Sequence, residues 1–272
     1  MNEEKLQRVL SELLSQDEGF GDLTGPLTPK KDVDAEVIAK QDGVASGIKE
    51  GSLLFEINGV SAKPTVTEGQ DISDRDCLLE LSGCSTDILL VERTALNLIS
   101  FMSGIASRTR EYVELAGDVS VAATRKTHPF FTYFAKKAVS AGGGLTHRYR
   151  LDDLFIFKDN HLSLFEDIKQ PVIEAKKTIY HKVEVEVTTK EDAFKAVDAG
   201  ADIIMLDNMS AEEVGVVVEA LTAEGLREKA VLEASGGITL ENLKEYCKTK
   251  VDVVSTSALT QAPGLDVALS FK

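Results

Sequence analysis

Basic and titratable side chains are concentrated in two neighbouring stretches of this sequence. Residues 124–129 read TRKTHP, and residues 146–162 read THRYRLDDLFIFKDNHL. Between 124 and 150 the chain has six Lys and Arg residues and no Asp or Glu to pair with them, which argues against surface salt bridges. An arginine binds a carboxylate or phosphate through two parallel hydrogen bonds, and a lysine adds a compact charge. We predict a site for a substrate with more than one negative charge, formed by Arg125, Lys126, His147, Arg148 and Lys158.

Carboxylates form a second candidate group. Glu184 and Glu186, in VEVEV, share one face of a predicted strand because side chains alternate along a strand. Asp207 ends another predicted strand. Carboxylate oxygens are the ligands that Mg²⁺ prefers, and Mg²⁺ commonly bridges to substrate phosphates. We predict that Glu186 and Asp207 hold Mg²⁺, directly or through water, whereas Glu184 equally fits a pairing with a basic residue of the interior.

Two further motifs have both a functional and a structural interpretation. EASGG (233–237) lies between a predicted strand and a predicted helix, where glycines let backbone N–H groups approach a phosphate. Gly-Gly is also typical of a tight turn, but phosphate commonly binds at this point of a barrel, so we predict a phosphate site at Ser235, Gly236 and Gly237. KDNH (158–161) either supplies Lys158 to the site or forms a loop that caps a helix, with Asp159 or Asn160 as the N-cap residue.

The elements that would position these residues alternate along the second part of the chain. Helical patterns separate the later strands, which predicts repeated strand–helix units with parallel strands buried on both faces. An α/β fold closed as a (β/α) barrel is favoured over an open doubly wound sheet. In such barrels the functional groups lie at the C-terminal ends of the strands, where the candidate residues fall. The predicted strands are 119–124, 154–158, 183–187, 201–207, 230–236 and 251–257.

The first third of the chain has a mixed pattern. Apolar residues at helical spacing predict a helix over 3–15, and 33–39 and 77–83 predict short strands. An apolar-periodic stretch from Ser85 to about Leu115 predicts one long helix or two.

Composition restricts the class of protein. The 272 residues carry a formal net charge of −15, which is unsuited to nucleic acid or an anionic membrane because both need a basic face. The segment MNEEKLQRVL lacks a signal-peptide run, and no uninterrupted apolar stretch approaches the roughly 18–20 residues of a membrane span. The three cysteines form no CxxC pair and fit reduced thiols. We therefore predict a cytoplasmic protein that acts on a small molecule.

Taken in order, the motifs resemble those of the quinolinate phosphoribosyltransferase family, over nearly the whole chain. The resemblance implies an incomplete (β/α) barrel over 104–262 and an N-terminal α/β sandwich domain over 1–103, joined by the tail 263–272. The motifs that carry it are GFGDLT (19–24), VERTALNLISFMSGIAS (91–107), TRKT (124–127), GGG and HR (142–148), KDNH (158–161), VEVEV (183–187), AGADIIMLDNMS (199–210), LEASGGITLENL (232–243) and ALTQA (258–262).

The resemblance also implies a reaction in which quinolinate and phosphoribosyl pyrophosphate give nicotinate mononucleotide, pyrophosphate and CO₂ with Mg²⁺, in NAD biosynthesis. It implies a homodimer, or a higher oligomer, whose active site is shared because the partner subunit's Arg93 reaches in. The implied catalytic residues are Lys126, Lys158, Glu186 and Asp207. The implied substrate-binding residues are these four with Arg93, Arg125, His147, Arg148, Ser235, Gly236, Gly237 and Ser257.

Five positions depart from the family pattern. Phe130 and Thr132 stand where the family has Gly and Arg, Thr146 replaces Asn, and Arg150 and Ser257 replace Gly. These changes partly resemble the molybdenum-locus paralogues, which however lack the KDNH lysine kept here. Three alternatives therefore stay open: a paralogous phosphoribosyltransferase for another aromatic acid, a non-catalytic sugar-phosphate binder, and a lyase that forms a Schiff base on Lys158.

Overall fold

The computed structural model describes all of residues 1–272, and the chain divides into two compact units. The predicted division assigned 1–103 and 263–272 to one domain and 104–262 to the other. The units differ from it mainly in His128–Gly143, which groups with the first unit. The first unit contains Met1–Arg110, His128–Gly143 and Gln261–Lys272, and the second contains Glu111–Thr127 and Gly144–Thr260.

The helices and strands are numbered along the chain. The helices are α1 Glu3–Glu18, α2 Ile48–Glu56, α3 Ser85–Ala116, α4 Thr132–Ala141, α5 Asp159–Leu162, α6 Lys169–Lys176, α7 Lys190–Ala199, α8 Ala211–Ala223 and α9 Leu243–Lys248. The strands are β1 Asp32–Ala39, β2 Gly43–Val44, β3 Ser61–Pro64, β4 Asp71–Ile72, β5 Cys77–Cys84, β6 Ser120–Ala123, β7 Phe155–Phe157, β8 Val183–Val187, β9 Ile203–Asp207, β10 Val231–Ser235, β11 Val253–Thr256 and β12 Val267–Phe271.

An antiparallel sheet in the order β12–β1–β5–β3 forms the centre of the first unit. On β1, Ala35, Val37 and Ala39 are buried and the residues between them are less so, as expected for a strand with one face on the core. β12 comes from the C-terminal tail and pairs with β1, so that Val267 lies opposite Ala39. The end of the chain is therefore a structural part of the first unit.

The helix α1 confirms the predicted amphipathic segment and extends it to Glu18. Leu6, Leu10 and Leu14 recur every four residues and are its buried side chains, which is the spacing of one helical face. The helix begins where the Asn2 side chain accepts a hydrogen bond from the Lys5 N–H.

The apolar stretch from Ser85 forms one continuous helix, α3, of 32 residues. Gly104 stands within it because a Cβ there would lie 2.0 Å from the Pro263 carbonyl oxygen. An 18-residue window of α3 has a mean hydropathy of 1.4, so the helix is long and apolar enough to cross a membrane, although no membrane span was predicted from the sequence. However, 56% of that window is buried, and helices in protein cores have the same length and composition.

Six parallel strands in the order β6–β11–β10–β9–β8–β7 form the sheet of the second unit. Strands β7 to β11 are neighbours in chain order, without the reversal that a doubly wound sheet requires. Leu145 extends the β6 edge through a parallel bridge to Ala122. This arrangement confirms the α/β fold with an incomplete barrel, and all six predicted strands are present, each within two residues of its predicted ends.

Local sequence explains how the helices of the second unit begin. The Thr189 side chain accepts a hydrogen bond from the Asp192 N–H at the start of α7. At the start of α8, Ser210 and Glu213 form a reciprocal capping box. The two caps fix where the loops after β8 and β9 end. Because the strands are parallel, the polar residues in these loops lie at the same edge of the sheet.

Candidate active site

A cavity of about 490 Å³ lies at the C-terminal ends of the strands in the second unit. All six strands, or the residues that directly follow them, contribute to its lining, because parallel strands end at the same edge. The cavity brings together most of the residues predicted from the sequence. They are Arg125, Lys126, His147, Arg148, Lys158, Glu186, Asp207, Ser235 and Gly236.

Three predicted site residues do not line this cavity. Arg93 belongs to the first unit, where it lines a separate cavity of about 510 Å³ together with residues from the loop after α1. Gly237 directly follows the lining residue Gly236, and Ser257 lies two residues beyond the lining residue Ser255. Their assigned roles therefore remain predictions.

Arg125 and Arg148 supply two positive charges to the cavity, and neither forms an ion pair with a carboxylate. Burial, and then the positive charge of Arg125, lower the pKa of the Arg148 guanidinium. Arg148 is held by its own loop, since Nη1 donates to the Leu154 carbonyl oxygen at 3.2 Å. Two cations that repel each other in a partly buried site favour the binding of an anion between them.

Lys158 and Glu186 form an ion pair across the ends of β7 and β8. The Lys158 ammonium donates a hydrogen bond to Glu186 Oε1. Burial raises the pKa of the Glu186 carboxyl, and the contact with Lys158 partly opposes that rise. The segment also begins a helix, but its N-cap residue is Lys158 and not the predicted Asp159 or Asn160. The Lys158 N–H donates to Nδ1 of His161 at 3.1 Å.

The turns after β9 and β10 are packed against each other. Asn208, with a left-handed φ of 54°, donates from its side-chain amide to Asp207 Oδ2 at 2.7 Å and from its backbone to the Ser235 carbonyl at 2.8 Å. Gly236 has φ 94°, and a Cβ there would lie 2.3 Å from Asn208 Oδ1. Only glycine fits this position, and Gly237 follows with φ 63°. Such consecutive turns expose backbone N–H groups to an anion.

His147 faces two buried carboxylates. Its Nε2 lies 3.1 Å from Glu184 Oε2 and 3.5 Å from Glu233 Oε2, and its Nδ1 accepts a hydrogen bond from the Arg148 N–H at 2.8 Å. Burial alone would lower the pKa of His147, but the two carboxylates raise it to about 9. Burial has the opposite effect on a carboxyl group and raises the pKa of Glu184. The interior pairing left open for Glu184 is therefore with a histidine.

Glu233 is a charged cavity residue for which no role was predicted. It lies two residues before Ser235 on β10, and side chains two apart share a face, so alternation alone could have identified it. The lining contains four acidic side chains, four Lys and Arg side chains, and His147. The basic ones are Arg125, Lys126, Arg148 and Lys158, and the acidic ones are Asp159, Glu186, Asp207 and Glu233.

The acidic side of the cavity fits Mg²⁺. Glu186 and Asp207 both line it from adjacent strands, and their oxygens are the hard donors that Mg²⁺ prefers. No cysteine lines the cavity, so the donor set is not that of a thiolate-bound metal.

None of the positions that depart from the family pattern is among the lining residues. Arg150 is exposed, and its Nε lies 3.1 Å from Asp152 Oδ1 in the same loop. Thr146 and Ser257 are not among the lining residues, and Phe130 and Thr132 belong to the first unit. The lining itself therefore keeps the residue types that the family resemblance implies.

Comparison with known proteins gives the same family for both parts of the chain. Residues 22–103 match the N-terminal domain of quinolinate phosphoribosyl transferase, and residues 105–270 match its C-terminal domain. A protein of Archaeoglobus fulgidus named a probable carboxylating nicotinate-nucleotide pyrophosphorylase is 42% identical over 255 residues, which are 92% of this chain and 98% of that protein. The human protein named carboxylating nicotinate-nucleotide pyrophosphorylase is 36% identical, over 86% of this chain and 81% of its own length.

Solved structures give the same result for the fold. The nicotinate-nucleotide pyrophosphorylase of Francisella tularensis superposes with a TM-score of 0.90 at 32% identity. The superposition covers 100% of this chain and 98% of that one.

Proposed function

This chain belongs to the quinolinate phosphoribosyl transferase family, and from this premise we propose how its cavity carries out the family reaction. The chain is an enzyme of NAD biosynthesis that converts quinolinate and phosphoribosyl pyrophosphate to nicotinate mononucleotide, pyrophosphate and CO₂. The single observation that supports this most is the cavity in which paired arginines, paired carboxylates and a glycine turn meet.

The two arginines bind the dicarboxylate. Arg125 and Arg148 lack acidic partners, and a guanidinium matches a carboxylate with two parallel hydrogen bonds. Quinolinate carries two adjacent carboxylates, and its binding replaces the repulsion between the arginines with attraction to the substrate. Lys158 adds a third charge to the same anion.

The sugar phosphate occupies the other side of the cavity. The turn at Ser235, Gly236 and Gly237 binds the 5′-phosphate through backbone N–H groups. Lys126, after β6, binds the pyrophosphate; its backbone is fixed because the Thr260 hydroxyl donates to its carbonyl oxygen at 2.8 Å. Ser257 lies three residues before Thr260 in sequence. It serves as a further hydrogen-bond donor to phosphate.

The chemistry is a displacement followed by loss of CO₂. The pyridine nitrogen forms a bond to ribose C1 while the C1–O bond breaks, and its electron pair leaves with pyrophosphate. Carboxylates at Glu186 and Asp207 stabilise the cation-like ribose in between. The ring carboxylate next to the quaternised nitrogen then leaves as CO₂, and the electron pair left on carbon takes up a proton. The protein mainly fixes the geometry.

We place Mg²⁺ at Glu186 and Asp207. When bound there, the ion neutralises charge on the pyrophosphate. These two carboxylates come from neighbouring strands, so they would hold the ion without a rearrangement of the sheet.

We also infer a homodimer in the cytoplasm, with the partner subunit's Arg93 completing each dicarboxylate site. The first unit supports this with exposed apolar side chains beside the cavity that Arg93 lines. Phe20, Leu23 and Leu27 are 115%, 89% and 86% exposed. Exposed apolar clusters of this kind commonly mark interfaces.

The activity is tested by mixing the purified protein with quinolinate, phosphoribosyl pyrophosphate and Mg²⁺. Nicotinate mononucleotide and CO₂ should form in equal amounts. Absence of both products at high enzyme concentration would overturn the proposal. Pyrophosphate release with other aromatic acids, but not with quinolinate, would identify a paralogous transferase instead.

A further inference from the structure

The second unit contains an unusual group of buried polar atoms beside the substrate cavity. Glu184 is 0% exposed and Glu233 is 2% exposed. Neither oxygen of Glu184 makes an aligned hydrogen bond, and neither does Glu233 Oε1. A buried carboxylate is costly unless it faces a compensating group. The nearest such group is the Nε2 of His147, which lies between the two carboxylates.

The other ring nitrogen of His147 also has a partner. The Arg148 N–H donates to Nδ1, so the neutral ring carries its proton on Nε2, which faces the two carboxylates. A metal ion on Nε2 would move that proton to Nδ1, where it would meet the Arg148 N–H. The ligand atoms of the three residues lie within 4.8 Å of one another, but for this reason they form an electrostatic group, in which Nε2 faces Glu184 and Glu233, rather than a metal site.

His147 also stands at a strained bend. Its φ of 50° is in the left-handed region, which is unfavourable for a residue with a side chain. The next residue, Arg148, has only 7% of its surface exposed and lines the cavity. The bend thus determines where the guanidinium enters the site, and on the His147 side the ring faces the two glutamates.

We propose that Glu184 and Glu233 are positioning residues: they hold the His147 ring, and the ring holds the backbone bend that presents Arg148 to the aromatic dicarboxylate. His147, which itself lines the cavity, then also acts through Arg148. The inference rests on the proposed function, because the anion that Arg148 receives is quinolinate.

The test compares Glu184→Ala, Glu184→Gln and His147→Ala with the wild type. Glu184→Ala should raise the KM for quinolinate about tenfold, the equivalent of one lost charge-assisted contact, and leave the KM for phosphoribosyl pyrophosphate within about twofold. Glu184→Gln keeps an oxygen that can accept from Nε2 and should restore most of the wild-type KM. If Glu184 acts through His147, the Glu184→Ala and His147→Ala double variant should be no worse than the single ones.

Glu50→Ala is a matched control for the loss of a buried carboxylate. Glu50 is 0% exposed and pairs with Lys137 in the first unit. It should lower thermal stability, as Glu184→Ala does, without changing the KM for quinolinate. A folded Glu184→Ala variant with a wild-type KM, or additive effects in the double variant, would overturn the proposal.

A crystal structure separates this inference from the proposed function. If the wild type makes no nicotinate mononucleotide, the proposed function fails. The positioning role is still tested, because Glu184→Ala should turn the His147 ring and displace the Arg148 guanidinium. An unchanged Arg148 in that crystal would refute the positioning role alone.

Discussion

The Lys158 ammonium, directly after β7, contacts the Glu186 carboxylate at the end of β8. In this state each residue neutralises the other, so neither charge is fully available to a substrate. Under the proposed assignment, a bound dicarboxylate would compete for Lys158 and would release Glu186 toward the ribose. The pair therefore links occupation of the two sides of the cavity.

Loss of Lys158 should affect catalysis rather than folding. Lys158→Ala removes a cation from the dicarboxylate site and leaves Glu186 without its partner, so we expect kcat/KM for quinolinate to fall by roughly 100-fold or more. Lys177→Ala removes an exposed ion pair with Glu174 and should leave the steady-state kinetics unchanged. Equal kinetics for both variants would contradict the role given to Lys158.

The acid limb of the pH–rate profile should reflect Glu186. Burial raises the pKa of this carboxyl above its ordinary 4.5, and the protonated form can neither hold Mg²⁺ nor stabilise a cation. Activity should therefore fall as pH decreases through a value above 4.5. Glu186→Gln should remove this limb together with most of the activity. An acid limb at or below 4.5 in kcat/KM would be inconsistent with this assignment.

Stability should decrease toward alkaline pH because of His147 and its two glutamates. The folded-state pKa of about 9 is above the ordinary value of 6.5, so the stabilisation is complete below pH 6.5 and is lost as pH rises through 9. Since Nδ1 accepts the Arg148 amide, the extra proton belongs to the group as a whole. The free energy of unfolding, from urea titrations, should fall by about 1–3 kcal/mol over this range. Glu184→Gln should flatten the dependence.

Gly236→Ala should damage the phosphate turn. The new Cβ would meet Asn208 Oδ1 at 2.3 Å in a left-handed backbone, which costs about 1–3 kcal/mol. The KM for phosphoribosyl pyrophosphate should rise more than that for quinolinate. Gly225→Ala is the control, because Gly225 also has a positive φ but no atom within 4 Å of the added Cβ. It should lower stability and leave both KM values unchanged.

Activity should require Mg²⁺, and the concentration of Mg²⁺ that is needed should depend on Asp207. Chelation of divalent cations should abolish product formation, and added Mg²⁺ should restore it. Asp207→Asn keeps an oxygen but loses the charge, so the Mg²⁺ concentration for half-maximal rate should rise by about tenfold. Full activity in excess chelator would refute the assignment of Mg²⁺ to this site.

The sequence predicted the second unit well because its signals are local. Apolar runs such as VEVEV and ADIIMLD identify buried parallel strands, and parallel order then brings the residues after them to one edge. The continuity of α3 could not be predicted in this way. Gly104 is a poor helix residue by local propensity, and the reason for it is a carbonyl of the distant C-terminal tail.

The contacts between individual site residues also could not be predicted from the sequence. Glu184 was left between a metal role and an interior pairing, because nothing local indicates that the loop at His147 reaches it. The extent of the first unit could not be predicted either, because the grouping of α4 with that unit depends on tertiary contacts and not on local sequence.

The pairing of β12 with β1 has a consequence for how the first sheet folds. The second unit lies between these two strands in sequence, and pairing between such distant segments forms slowly because a long loop must close first. Until β12 pairs, the β1 edge of the sheet is open, and an open edge invites pairing with other chains. Docking of β12 is therefore the folding step at which the protein is most prone to aggregate.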